Sequence, residues 1–326
     1  MTLRDLPRQI PGIDEIETLV IDDGSTDDTV RVAREHGVDH IVSFTNNKGL
    51  AASFMAGIDA CLKRGADIIV NTDGDNQYNG ADVAKLIKPI LDGEADMVIG
   101  NRQVNTISHF SPLKKMLQLL GSWAVRRFSD TEVPDATSGF RAYSREAALR
   151  MIVVSRFSYT LETIIQAGKK NLALSFVPVR TNDKLRESRL FRSIPNYLKR
   201  SIGTILRIYT MYEPLKTFGT IGLFIFAVGA AISVRFLYYF FFVDQGAGHI
   251  QSLILSAVFM ILGFQIGLIG LMADLIANNR ILIEDTLYRI KKIETNGREA
   301  PPETNGQPLD QKAKSQTQRV QTSRAG

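Results

Sequence analysis

The sequence predicts an α/β fold: a mostly parallel sheet with helices on both faces, then an interfacial helix and two transmembrane helices. Two observations carry this. Between about residues 15 and 180, short apolar runs alternate with longer helical stretches, the pattern of strands joined by covering helices. Near the C-terminus, residues 218–242 and 252–276 form two mostly apolar runs. At about 1.5 Å per residue, each is long enough to cross a hydrocarbon layer of roughly 30 Å.

In chain order, strands are expected at 16–21, 40–44, 68–72, 97–100 and 174–179, and helices at 28–36, 50–64, 81–91, 113–128 and 145–154. Leu198, Ile202, Ile205 and Tyr209 then recur at helical spacing, with Lys199, Arg200 and Arg207 elsewhere on the turn. That pattern suits a helix lying in a membrane interface, and equally an amphipathic helix packed on the domain. Lys199, Arg200, Arg207 and Lys216 precede the two apolar runs and Arg280, Arg289, Lys291 and Lys292 follow them, while the loop 243–251 has neither Lys nor Arg. Positive charge stays inside, so both chain ends are expected on the cytoplasmic side. Arg235 is close enough to the outer end of its span to snorkel. The resulting division is an α/β domain over 1–187, an interfacial segment over 188–214, a hairpin over 215–277, a juxtamembrane helix over 278–294 and a disordered tail over 295–326. The tail is rich in Pro, Gln, Thr, Ser and Lys and has little apolar surface to bury.

Composition narrows the function classes. With 326 residues, 44% of them hydrophobic, the chain can bury a core. Its net charge of +5 comes partly from Lys and Arg flanking the apolar runs, which points to anionic lipid and phosphate rather than nucleic acid. Cys61 is the only cysteine and the four histidines are scattered, which excludes an internal disulfide and disfavours a zinc site. Residues 1–11 carry charge where a secretory leader would be apolar.

Two strand ends bear the chemistry. Ile68, Ile69 and Val70 run into Asn71-Thr-Asp-Gly-Asp-Asn-Gln77, placing two carboxylates one residue apart at the carboxyl end of a strand, where open α/β sheets bind ligands. Asp73, Asp75 and Gln77 offer hard oxygen donors suited to Mg²⁺ or Mn²⁺, which can bridge a diphosphate. A solvated acidic turn is the alternative on this motif alone. An EF-hand is disfavoured, because its sixth and twelfth positions would be Tyr78 and Ala84. Upstream, Leu19-Val-Ile-Asp-Asp-Gly-Ser-Thr-Asp-Asp28 is a second strand end. Asp27 or Asp28 caps the following helix, leaving Asp22 and Asp23 to accept hydrogen bonds from a base or ribose, unless turn chemistry uses them.

Val20-Ile-Asp-Asp-Gly-Ser25, the Asn47/Gly49 segment, Asp73-Gly-Asp75 with Gln77, Gly100-Asn-Arg102 and Ser138-Gly-Phe-Arg141 occur in that order. Together they resemble the family 2 glycosyltransferases with the GT-A (Rossmann-like) fold, and most of all the dolichyl or polyprenyl phosphate sugar transferases. The resemblance spans about residues 13–209, and the hairpin is similar to that of membrane-anchored members. It implies that Asp23 contacts the nucleobase, with Asp22, Asn47, Lys48 and Asp73 completing the nucleotide-sugar site. It also implies that Asp73, Asp75 and Gln77 organise the metal, that Arg102 faces the acceptor phosphate and that Asp135 borders the acceptor pocket beside Arg141 and Ser188. Arg186-Glu-Ser-Arg189 resembles the family's Arg-X-X-Gly-X-Ser-Lys loop, with the glycine missing and Arg189 in place of lysine.

The chemistry so implied needs no dedicated base, since a phosphate monoester is already an anion at neutral pH. Alignment behind the anomeric carbon and stabilisation of the leaving diphosphate suffice, with Arg102, Arg186 and Arg189 giving charge-assisted bonds to the acceptor and Asp75 and Asp135 in the catalytic set. The expected reaction is inverting transfer from a UDP- or GDP-linked sugar to a polyprenyl phosphate at the cytoplasmic membrane face. Family members open with an apolar strand ending in Pro-X-Tyr-Asn-Glu, whereas residues 1–7 resemble the helix after it, so the first strand is expected to be missing. A catalytically silent, shortened membrane scaffold is therefore the alternative. A processive synthase is disfavoured by the lack of Gln-X-X-Arg-Trp, the sole tryptophan being Trp123. Gly263, Gly267 and Gly270 permit either a homo-oligomer or contact within the hairpin.

Overall fold

The computed structural model describes residues 2–103, 125–126, 129, 131–154, 159–182, 202–203, 206–207, 209–242 and 250–296. Most of the helix expected at 113–128, most of the interfacial segment, the loop bearing Arg186, Ser188 and Arg189, and the tail from 297 onward lie outside the described residues.

Six strands are seen among these: β1 (Leu19–Asp22), β2 (His40–Ser43), β3 (Ile68–Asn71), β4 (Met97–Asn101), β5 (Arg141–Ser144) and β6 (Leu174–Pro178). β1 and β2 pair in parallel as a two-stranded sheet. The other four form a sheet in the order β3-β5-β4-β6, in which β5 runs antiparallel to both neighbours and β4 pairs in parallel with β6. Three of its four strands therefore point the same way. β5 is the strand that sequence reading missed. It opens with an arginine, which reads as surface, yet Arg141 is 0% exposed. Its guanidinium finds acceptors around it, as described below.

The α/β helices are α1 (Thr2–Asp5), α2 (Thr29–Glu35), α3 (Leu50–Lys63), α4 (Val83–Leu91), α5 (Arg145–Arg150) and α6 (Thr160–Lys169). In α3, Ala51, Phe54, Ile58 and Leu62 are buried at three- and four-residue intervals, one stripe of the helix. Alternate residues of the central strands feed two cores. Met97, Ile99 and Tyr143 pack with Phe54, Ile58, Ala147 and Ile164 of α3, α5 and α6 on one face. Val98, Phe140 and Ala142 pack with Leu86 and Ile87 of α4 on the other. Both faces are thus covered, which leaves the strand ends open to a polar site.

Two helices, α7 (Pro214–Phe242) and α8 (Ile250–Asn296), are long and apolar enough to cross a membrane, with mean hydropathy reaching 2.0 and 2.3. A Cβ on Gly222 would lie 2.7 Å from the Gly263 carbonyl oxygen, and one on Gly229 would lie 2.8 Å from the Met260 nitrogen. Ser256 donates to the Gly229 carbonyl at 2.8 Å and shares a 2.6 Å hydrogen bond with Ser233. The small residues thus serve contact within the hairpin. The 47 residues of α8 extend about 70 Å, far more than one bilayer crossing. Its last third returns to the α/β domain, where the Tyr288 hydroxyl donates to Glu146 at 2.8 Å.

Candidate active site

The acidic turn after β3 is held from below. Asn71, the last residue of β3, donates from Nδ2 to the Gly139 carbonyl and to the Tyr159 hydroxyl, each at 2.8 Å. The Gly139 amide donates to the Tyr78 hydroxyl at 2.9 Å. These bonds bring the 135–141 loop against the turn so closely that a Cβ on Gly139 would lie 2.5 Å from Oδ2 of Asp73. Glycine is the residue this approach allows.

Within the turn, Asp75 accepts the Gln77 amide at 3.0 Å, and Asn76 takes a left-handed conformation with φ 58°. Asp73 sits deep enough that burial, and then the neighbouring Asp75, push its carboxyl up to about 6, while Arg102 and Arg141 pull the other way. Two close carboxylates and an amide in one turn, with negative charge in excess, are a donor set that fits a hard divalent cation. Asp73, Asp75 and Gln77 are the residues that would hold it. Among the described residues, no group of three or more His, Cys, Asp or Glu side chains is clustered for metal binding.

Arg102 and Asp135, both expected at the acceptor, face each other instead. Arg102 donates from Nε to Oδ2 at 2.7 Å and from Nη2 to Oδ1 at 2.9 Å, and also from Nη2 to Thr137 at 2.6 Å. The side chains are only 6% and 2% exposed. Burial works against both charges, but each outweighs it for the other: Asp135 moves below the usual carboxylate range, and Arg102, helped by Tyr78, moves up. In this structure Arg102 fixes the 135–137 turn. Arg141 is likewise engaged within the protein. Its donors go to Ser138 O (2.7 Å), Thr160 O (2.9 Å), Thr163 Oγ1 (2.7 Å) and Ala136 O (3.0 Å), so it clamps the loop from inside.

Asp22 and Asp23 are likewise not free. Asp22 accepts the Ser25 amide at 3.0 Å, closing its own turn. Asp23 takes the amides of Lys48 and Gly49 at 2.7 and 2.9 Å, so it positions the start of α3. Gly24 has φ +73°, and a Cβ there would lie 2.8 Å from the Asn46 carbonyl carbon. The two segments that carry Asp22, Asp23, Asn47 and Lys48 are therefore one surface, with the Lys48 ammonium 4.4 Å above the Phe44 ring. Asp27 accepts the Thr29 amide at 3.1 Å in an Asx turn ahead of α2, whose N-cap residue, Asp28, makes no side-chain capping bond. Sequence reading overlooked Tyr78, Gly139, Tyr159 and Thr137. Gly139 lies inside the Ser138-Gly-Phe-Arg141 motif and Tyr78 follows Gln77, and only that placement could have marked them.

With this geometry in hand, comparison with known proteins is informative. The family model for Glycosyl transferase family 2 matches residues 2–151. An uncharacterized protein from Methanocaldococcus jannaschii is 34% identical over 171 residues, which cover 50% of this chain and 69% of that protein. A UDP-N-acetylglucosamine–dolichyl-phosphate N-acetylglucosaminyltransferase from Methanococcus voltae is 28% identical over 184 residues, covering 50% of this chain and 73% of that one. Among solved structures, glucosyl-3-phosphoglycerate synthase from Mycobacterium tuberculosis with phosphoglyceric acid aligns with a TM-score of 0.48 at 23% identity, over 64% of this chain and 73% of that one.

Proposed function

The chain belongs to glycosyltransferase family 2, and from that premise we propose that it moves a sugar from a UDP- or GDP-linked donor onto a polyprenyl phosphate, with inversion at the anomeric carbon. The observation that carries the proposal is the Asp73–Asp75 turn at the end of β3, seated on Gly139 and left with excess negative charge. A Mg²⁺ or Mn²⁺ ion held by Asp73, Asp75 and Gln77 supplies, when bound, positive charge against a departing diphosphate. The acceptor class is supported by the Methanococcus relative, whose name specifies dolichyl phosphate, and by the hairpin, which can keep the domain beside a bilayer.

The chain's own residues divide the remaining work. The surface made by Asp22, Asp23, Asn47 and Lys48 borders the base and ribose, with Asp23 acting through the Lys48 and Gly49 amides it holds. Arg102 and Asp135 act as a positioning pair for the loop that seats Asp73, and Arg141 locks the same loop from its buried side. Arg186, Ser188 and Arg189 supply the charge and hydrogen bonds that the acceptor phosphate needs. The acceptor is its own nucleophile, so alignment replaces a general base. The distribution of Lys and Arg around the hairpin favours the cytoplasmic side for the α/β domain.

The test is transfer of radiolabelled sugar from a panel of UDP and GDP donors into polyprenyl phosphate, on membranes carrying this chain, with Mg²⁺ or Mn²⁺ and with EDTA. Metal-dependent labelling is expected, with loss in Asp75→Ala while membrane insertion is kept. No labelling from any donor would overturn the transferase reading, and labelling that survives in Asp75→Ala would remove the metal from it.

A further inference from the structure

The residues after β6 do something the transfer reaction does not by itself require. β3 and β6 are opposite edges of the four-stranded sheet, yet the chain leaving β6 crosses back to the turn that follows β3. Val179 donates its amide to Asn101 at 3.0 Å, Arg180 donates its amide to buried Asp82 at 2.7 Å, and Thr181 bridges to Tyr78. Asn182, in the same strap, makes three hydrogen bonds to three consecutive carbonyls. Its amide donates to Gln77 O at 2.9 Å, and its Nδ2 donates to Asn76 O at 3.1 Å and Tyr78 O at 3.2 Å.

Those carbonyls belong to the turn that presents Asp75 and Gln77. Asn76, between them, is one of three non-glycine residues with positive φ among the described residues. A residue in that region stays there only when its surroundings fix it. The turn follows an edge strand and has a ladder partner on one side only, so its carbonyls need donors from elsewhere. We propose that Asn182 is a positioning residue for the cation-binding turn, its carboxamide holding Asn76 left-handed so that Asp75 and Gln77 offer their oxygens together. The inference rests on the metal reading above and adds to it a residue from the opposite edge of the sheet.

The test uses the full chain purified in detergent, with Mn²⁺ alone as the probe and free Mn²⁺ followed by electron paramagnetic resonance. Asn182→Ala removes two side-chain bonds and keeps the backbone one. Asn182→Asp keeps the shape but cannot donate, so it serves if the alanine variant fails to fold. Both variants are expected to weaken Mn²⁺ binding about ten-fold, the effect of losing two neutral hydrogen bonds. Both should also speed amide exchange across residues 75–78, and Asn182→Gln should restore part of the affinity. A variant that melts earlier but binds Mn²⁺ like the parent would overturn the proposal and leave the metal reading intact. A parent chain that binds no Mn²⁺ would overturn both.

Discussion

Lys170, just beyond the end of α6, places its ammonium 3.0 Å from the Glu284 carboxylate of α8, with the two side chains 17% and 12% exposed. Glu284 also holds Arg280 at 2.7 Å, and that guanidinium lies 4.8 Å above the Tyr212 ring. The α/β domain is thereby tied to the same helix that forms half of the apolar hairpin. Burial pushes the Lys170 ammonium below its ordinary pKa even though Glu284 favours the charged form, so this contact depends on its partner. Glu284→Gln leaves two cations facing a neutral group, and is expected to cost about 1–3 kcal/mol, less than a fully buried pair because water still reaches it. A double-mutant cycle with Lys170→Met checks this: the combined loss should fall short of the sum of the single losses. Faster amide exchange over residues 280–292 should accompany it.

Asp73 offers a test in which stability and binding move in opposite directions. Its carboxyl is raised from 3.8 to about 6, so the folded chain binds that proton more tightly than the unfolded chain does. The cost to folding is absent below the unfolded value, grows as pH rises through the interval and is full above about 6. Asp73→Asn removes a cost of about 1–3 kcal/mol. In EDTA at pH 8 the variant should therefore melt higher than the parent, and at pH 4 the gain should shrink. Stabilisation of the parent by Mn²⁺ should be absent in the variant.

The sequence exposes some of these features and conceals others for physical reasons. α3 was legible because Ala51, Phe54, Ile58 and Leu62 mark one helical face. The acidic turn was legible because carboxylates following an apolar run stand out at a strand end. β5 was not, since the buried Arg141 depends on acceptors that include residues 160 and 163, about twenty positions away and outside a local window. The same holds for the seating of Asp73: Tyr78 meets Gly139 across 61 positions, and Asn182 meets Asn76 across 106. Asp23 shows a different limit. The carboxylate itself is plain in the sequence, but whether it faces a ligand or a backbone amide depends on where residues 48 and 49 fold.

Gly139→Ala tests the seat directly. The added methyl would lie 2.5 Å from Asp73 Oδ2 and 3.0 Å from its other oxygen, so the carboxylate or the loop must move. Asn71 and Tyr78 hold the loop on both sides of this residue, which makes the carboxylate the part that yields. Far-UV circular dichroism should be unchanged, whereas Mn²⁺ affinity should fall by at least about ten-fold, the equivalent of roughly 1.4 kcal/mol. Unaltered Mn²⁺ binding would show that Asp73 is not a ligand in this position.

The docking of α8 should respond to acid through Glu146. Its carboxylate accepts Tyr288 at 2.8 Å and Arg150 at 2.8 Å, with Lys292 at 3.9 Å. Burial favours the neutral form, but the bonds from Tyr288 and Arg150 and the Arg150 and Lys292 charges prevail, so the carboxyl lies below its ordinary value of 4.5. A carboxyl lowered by folding contributes stability above the unfolded value, and that contribution is lost as pH falls through the folded one. The α8 extension should thus stay docked at pH 6 and loosen only once pH has fallen below the ordinary carboxyl value of 4.5, seen as protease cutting or amide exchange near Tyr288. Glu146→Gln should show the loosened state already at pH 6 and a flatter response to acid. Tyr288→Phe removes the hydroxyl while Arg150 and Lys292 remain, so its acid response should shift to higher pH without disappearing. A profile identical to the parent in both variants would show that Glu146 does not govern the docking of α8.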